Sequence, residues 1–277
     1  MSQRHIAIIG FGSIAQDLIA ILYSQQEPGP STLSVLTRKT KERATKAQVE
    51  HQLAGKPVKI EVLSDLDDLL ASQPQMVAEC AGHEAVTTYA THILERGIDL
   101  LVASVGALAD ADFMLELVQA ARSGGAQLLV PAGAIGAIDS LGAARLSGLT
   151  SVSYTGRKPP KAWEGTPAED IVALRELSHP QQIFQGNARD AARLFPKNAN
   201  VAATLALAGL GMDRTMVRLV ADPTIAENTH EFEVESEALN FSIRLVGKPS
   251  PVNPKTSRST VFSIARVILA REQAIVI

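Results

Sequence analysis

The chain has 277 residues, room for one large domain or two of ordinary size with a well-buried core, and two are expected. With 46% hydrophobic and 20% charged residues and a formal net charge of -3, it has the composition of a soluble globular protein and no basic footprint for nucleic acid or a membrane surface. The single cysteine, Cys80, excludes an internal disulfide and a cysteine-built zinc site. No metal site is expected, no apolar run is long enough to span a bilayer, and a reducing cytoplasm is the expected location. The short apolar stretch at the amino terminus reads as a strand, not as a signal peptide.

That strand, His5 to Gly10, runs into Gly10-Phe11-Gly12-Ser13-Ile14-Ala15 and then a helix to Tyr23. Strand, glycine turn and helix in this order open a dinucleotide-binding unit. Gly10 makes the tight turn, Gly12 admits a pyrophosphate close to the backbone, and Ala15 keeps the helix near the strand. The first-turn amides at Ser13 and Ile14 are the expected diphosphate donors. A second strand, Leu33 to Leu36, ends in Thr37-Arg38-Lys39 where NAD-preferring folds place an acid on the ribose hydroxyl. Arg38 there suits a 2′-phosphate, or forms with its neighbours a solvated basic turn; NADP or NAD is the expected cofactor, with NADP, alone or beside NAD, favoured over strict NAD use.

Strands at Val58 to Leu63, Met76 to Ala81, 99–104 and Gln127 to Val130 alternate with helices at Asp65 to Ser72, 84–96 and 110–123. The alternation predicts right-handed βαβ units and a doubly wound parallel sheet, the Rossmann form of the α/β class. Ligands of such sheets sit beyond the carboxyl ends of the strands, which makes the loops Ala81 to His83, including Gly82, Ser104 to Ala107 and Ala132 to Gly136 the expected cofactor lining. Cys80 and His83 have the residue types of a nucleophile and its base. A small buried strand residue and a helix-start polar residue explain them more simply.

Beyond Gly136 the pattern changes. A strand at Ser151 to Thr155, a polar stretch through Trp163 and His179, helices at 188–195 and 199–210, and strands at Met216 to Ala221, Thr229 to Glu235 and Leu239 to Val246 predict an α+β domain with a mostly antiparallel sheet. The last amphipathic segment, Ser257 to Arg271, is expected to return to the first domain. The predicted organisation is therefore 1–134 with helix 257–277 as the dinucleotide-binding domain and 135–256 as the substrate domain.

The GFGSIA start, Ala132-Gly133-Ala134-Ile135-Gly136, the segment Pro196 to Ala203, Thr229-His230-Glu231 and Asn253-Pro254-Lys255-Thr256-Ser257 together resemble the L-aspartate dehydrogenase family over essentially the full length. That resemblance implies NAD(P)-dependent oxidative deamination of L-aspartate to iminoaspartate, which hydrolyses to oxaloacetate and ammonia or feeds pyridine nucleotide synthesis. It also implies His230 as the catalytic residue, with Ala134 and Asn200 at the nicotinamide cofactor. The chain has Ala132 where a serine is common and Ala137 where a glycine is common, which bears on cofactor affinity and not on chemistry.

The reaction needs an acid–base group for the nitrogen and the attacking water, and cations for two carboxylates. His230 suits the first task through the resemblance, since a lone strand histidine read from its residue type alone is structural; Lys158, Lys197, Lys255, Arg157 and Ser257, all near turns of the second domain, are candidates for the second, beside the plainer reading of side chains that bind nothing. Asn198 and Asn200 each suit a helix cap as well as a ligand contact. Competing readings are a homoserine-dehydrogenase-like or sugar-oxidising NADP enzyme and a dinucleotide-sensing protein without turnover. Sugar oxidoreductases of this architecture carry a lysine just after the fifth strand, where this chain has Ala103-Ser104-Val105-Gly106. A small-residue helix around Ala202 to Gly211, with the antiparallel sheet, predicts a homo-oligomer, a dimer by resemblance, whose other partners are small molecules.

Overall fold

The computed structural model describes residues 4–24, 29–196, 198–248, 257–271 and 273–275, which fall into two compact units. The first comprises Met1–Ser104, Ala111–Pro131 and Val261–Ile277; the second comprises Val105–Asp110 and Ala132–Thr260.

In the first unit strands and helices alternate as β1 (His5–Ile9), α1 (Ser13–Leu22), β2 (Thr32–Leu36), α2 (Glu42–Gln52), β3 (Lys59–Leu63), α3 (Leu66–Ala71), β4 (Met76–Glu79), α4 (His83–Glu95), β5 (Asp99–Val102), α5 (Ala111–Gly124) and β6 (Leu128–Leu129). The strands are parallel, in the order β3-β2-β1-β4-β5-β6. The order reverses between β1 and β4, so the loops after these two strands flank the switch point at which open α/β sheets bind ligands. Strand β4 is buried from end to end and β1 nearly so, which is why their sequences read as apolar runs without alternation. Helix α1 turns Ala15, Leu18, Ile19 and Leu22 inward at helical spacing. They join a core with Ile6, Ile8, Met76, Ala78 and Leu101. Each such aliphatic side chain taken out of water contributes about 1.5–3 kcal/mol.

The second unit holds α6 (Ile138–Leu146), β7 (Leu149–Lys158), β8 (Gln181–Asn187), α7 (Ala188–Leu194), α8 (Asn200–Ala208), β9 (Met216–Ala221), β10 (Asn228–Ser236) and β11 (Phe241–Gly247). Its sheet has the order β11-β10-β7-β9-β8 and is antiparallel apart from the β7/β9 pair. Along β7 the even-numbered residues from Val152 to Lys158 are buried and the odd-numbered ones partly open, the period-2 mark of a sheet with one covered face. The final helix, α9 (Arg258–Ala270), contributes Val261, Ile264, Ala265 and Ile268 to the first unit's core. No helix among the described residues is long and apolar enough to cross a membrane.

Three elements lie outside the predicted set. Helices α2 and α6 bury only two side chains each, Thr45 with Val49 and Leu141 with Ala144, too few to write a stripe into the sequence. Strand β8 is an edge strand of polar composition, QQIFQGN, with an irregularity between Gln182 and Phe184. Val201 through Ala206 of α8 are buried, and α8 packs on α6, α7 and the turn 105–109, so these small residues serve close packing within the unit.

Candidate active site

At the carboxyl end of β1 the chain turns through Gly10 at φ +89°, where a Cβ would stand 2.8 Å from that of Ala81. A side chain has no place there. Gly12 is different, because nothing lies within 4 Å of its missing Cβ and the space over its backbone is open. Helix α1 then starts with no side-chain cap and no acid in its first turn, although α2 to α7 each carry an acid there. The amide ends at Ser13 and Ile14, with the positive end of the helix dipole behind them, are left for an anion. These residues fit a dinucleotide diphosphate. Arg38 is exposed just beyond the end of β2.

The next loop is organised by a residue the sequence reading passed over. Glu79, the acid in the otherwise apolar strand Met-Val-Ala-Glu, is buried. Its Oε1 accepts from the Ala81 and Gly82 amides at 2.7 Å each and from Ser104 Oγ at 3.1 Å, and its Oε2 accepts from the Ser104 amide at 2.9 Å. One carboxylate therefore ties the loop after β4 to the loop after β5, and the amides of Ala81 and Gly82 point at Glu79. Burial, with Glu79 adjoining, pushes the Cys80 thiol well above its ordinary range, which makes it a poor nucleophile.

In the second unit β10 runs antiparallel to β7 with His230 directly opposite Gly156. The imidazole thus sits between the side chains of Tyr154 and Lys158, two residues away on either side along the covered face. Tyr154 Oη and His230 Nδ1 are 2.8 Å apart, and the rings stack at 6.0 Å with planes 15° apart. Both residues are buried. The Lys158 ammonium, also buried, donates to Asn198 Oδ1 at 2.9 Å and lies 5.2 Å over the ring of Trp163. Desolvation lowers the Lys158 pKa to about 8. Desolvation first, and the Lys158 charge second, lower that of His230 to about 3. A neutral imidazole and a cation thus share one covered sheet face.

Of the predicted site residues, the fold brings His230, Lys158 and Asn198 together. Asn200 opens α8, and its Oδ1 accepts from the Gly106 amide at 3.0 Å, fastening the turn 105–109 to the helix. Ala134 lies in the turn before α6. Ser257 is buried beside Gly247, its hydroxyl 2.8 Å from that of Ser259. Lys197 and Lys255 lie outside the described residues. Arg157 is corrected as a carboxylate ligand. It is odd-numbered on β7, so it leaves the face that holds Lys158, and its guanidinium is paired with buried Asp222 at 3.2 Å. Tyr154 and Gly156 were missed, although the spacing Tyr-x-Gly-x-Lys on a strand places all three residues on one face.

Residues 10–131 match the model of the NAD-binding domain of homoserine dehydrogenase, and residues 139–271 match that of the aspartate dehydrogenase C-terminal domain. The L-aspartate dehydrogenase of Ralstonia nicotianae is 47% identical over 271 residues, which cover 98% of each chain. This chain belongs to the L-aspartate dehydrogenase family. The Pseudomonas aeruginosa member is 46% identical over 95% of this chain and 96% of its own. The crystal structure of aspartate dehydrogenase from Thermotoga maritima aligns with a TM-score of 0.74 over 99% of each chain at 25% identity.

Membership in the L-aspartate dehydrogenase family accounts for both halves of the chain: the first-unit match is to a nicotinamide-binding domain that other dehydrogenases share, and the second-unit match is to a domain named for aspartate. The parallel sheet and the mostly antiparallel second sheet follow the fold expected of that family. Ala137, in the place where the family resemblance puts a glycine, caps α6 at φ +55°. An alanine held left-handed costs about 1 kcal/mol relative to glycine, so the exchange weighs on stability at the start of α6.

Proposed function

We propose that the protein oxidises L-aspartate with NAD or NADP, the first unit seating the cofactor and the second unit handling the amino acid. L-aspartate loses a hydride from Cα and a proton from nitrogen to give iminoaspartate; water then adds to the imine carbon, and ammonia leaves to give oxaloacetate. Bound nicotinamide supplies the hydride acceptor. Gly10, Gly12 and the first-turn amides of Ser13 and Ile14 would hold its diphosphate. Arg38 would hold a 2′-phosphate, with Ala81, Gly82, Ala134 and Asn200 lining the rest. The reading is supported most by the imidazole of His230 and the ammonium of Lys158 lying on one covered sheet face, where low polarity strengthens the attraction of a cation for a carboxylate.

In this reading His230 is the catalytic residue at the reacting nitrogen or oxygen, and Lys158, steadied by Asn198 and Trp163, holds a substrate carboxylate. Lys197, Lys255 and Ser257 remain proposed contacts for the second carboxylate. A reducing cytoplasm, favoured by the lone Cys80, and a homo-oligomer, a dimer by family resemblance, complete the proposal, as does use of the imine in pyridine nucleotide synthesis. The open face of the second sheet, with Thr155, Arg218, Glu231 and Arg244, is the surface offered to a second subunit.

Absorbance of reduced nicotinamide, followed with L-aspartate or L-homoserine and each cofactor, tests the assignment. Reduction with L-aspartate alone is expected; reduction with L-homoserine and none with L-aspartate would overturn it.

A further inference from the structure

We infer that Tyr154 is a positioning residue that fixes His230 in the Nε2–H tautomer, so that His230 meets the substrate as a hydrogen-bond donor through Nε2 and not as a general base. The inference rests on the proposal that His230 acts on L-aspartate, and it specifies what the imidazole does there.

Hydrogen-bond accounting separates the two tautomers. A phenol has one hydrogen to donate, and a neutral imidazole has one N–H and one bare nitrogen. Among the described residues the Tyr154 hydroxyl has His230 Nδ1 as its sole partner, at 2.8 Å, and Tyr154 is only 1% exposed. Two arrangements fit that distance. If Nδ1–H donated to the phenol oxygen, the phenol hydrogen would be buried with no acceptor among the described residues, an omission that folded proteins avoid. If the phenol donates to bare Nδ1, both groups are satisfied and the ring hydrogen lies on Nε2. Burial keeps the phenol protonated and the imidazole neutral, so neither group leaves this arrangement by titrating near neutral pH.

The fold also holds the phenol in place. A Cβ on Gly156 would lie 2.6 Å from Tyr154 Oη and 3.2 Å from Leu219 Cδ2, so the hydroxyl occupies the room that the missing side chain leaves. His230 stands opposite that same glycine. On the far side Lys158 offers only donors, and its Nζ is engaged with Asn198. Nε2 has no hydrogen-bond partner among the described residues. A neutral Nε2–H serves the keto oxygen of oxaloacetate, or the hydroxyl of the carbinolamine formed when water adds to the imine, by polarising it without proton transfer.

Histidine-labelled protein with nitrogen-15, observed through two-bond proton–nitrogen correlations, reports the tautomer directly, the His230 ring being identified by its disappearance in His230→Ala. The Nε2–H pattern is expected in the full-length protein, with Tyr154→Phe moving the bare Nδ1 resonance downfield as it loses the hydrogen bond it accepts. An Nδ1–H ring in the unaltered protein, or an unchanged ring in Tyr154→Phe, would overturn the inference. Turnover supplies a second arm. Glutamine places an amide N–H where Nε2–H stands and offers no base, so His230→Gln should exceed His230→Ala in turnover with L-aspartate by about tenfold or more. Equal rates for the two variants would overturn the donor role. Tyr154→Phe should lower kcat about tenfold while KM for L-aspartate stays within roughly threefold. If His230→Ala turns over like the unaltered enzyme, the catalytic reading of His230 fails, and the tautomer measurement still stands or falls by itself.

Discussion

Gly156 faces His230 across the β7/β10 pair, and the absence of a side chain at Gly156 is what lets the Tyr154 hydroxyl reach His230 Nδ1. The glycine is there for its neighbours and not for its own backbone, since it carries none of the positive φ angles found at Gly10 or Gly82.

Gly156→Ala is accordingly expected to act at a distance from its own backbone. The added methyl must displace Oη or Leu219, an overpacking that costs about 1–3 kcal/mol in urea unfolding. The variant should also show the kinetic loss of Tyr154→Phe, and a double variant should be little worse than either single one. Additive losses would show that the two residues act independently.

Acid stability follows from the same burial. The folded-state pKa of His230 is depressed from 6.5 to about 3, so the unfolded chain takes up a proton that the folded chain refuses. Stability is intact above about pH 6.5 and falls as the pH drops toward 3. This residue alone should remove about 2 kcal/mol between about pH 7 and pH 5, and His230→Gln should flatten that part of the curve. An unchanged slope in His230→Gln would show that other groups carry the acid sensitivity.

Lys158 titrates in the opposite region, its pKa having been lowered to about 8 by desolvation. Succinate, a dicarboxylate without the reacting nitrogen, should inhibit less well above about pH 8, by about tenfold per further pH unit. In Lys158→Met inhibition should be about 10- to 100-fold weaker, the value of a charge-assisted hydrogen bond, and should no longer vary in this range. Succinate inhibition that stays level to about pH 10 in the unaltered enzyme would remove Lys158 from the carboxylate site.

Glu79→Gln tests the loops of the first unit. Glutamine keeps an acceptor for Ala81 and Gly82 but turns an amide donor on the Ser104 N–H, leaving a clash of donors that costs about 1–3 kcal/mol. KM for the nicotinamide cofactor should rise more than KM for L-aspartate. The reverse order would mean that these loops do not serve the cofactor.

Much of the architecture was legible because parallel strands buried on both faces write uninterrupted apolar runs, as β1 and β4 do, and because α1 and α9 repeat their buried residues at helical spacing. Where few side chains are buried, as in α2, α6 and the edge strand β8, the pattern fades and only tertiary context forms the element. Of the proposed site, His230 and Lys158 could be named beforehand, His230 through the family resemblance and Lys158 as one cation among several. Residues that act by pairing could not. Tyr154 meets His230 only when β10 is laid beside β7 in the observed register, and the Arg157–Asp222 pair forms only when Asp222 arrives from the turn after β9. Glu79 offered a local clue, an acid inside an apolar strand, but its partners at Ser104 lie a full βα unit away.

In the proposed mechanism His230 works on the substrate and takes no part in seating the cofactor. Turnover of L-aspartate by His230→Ala, measured alongside its affinity for NADPH by nicotinamide fluorescence, tests that claim most directly. A loss of about 100-fold or more in kcat with NADPH affinity unchanged is the predicted result; undiminished turnover, or a loss explained wholly by weaker NADPH binding, would contradict it.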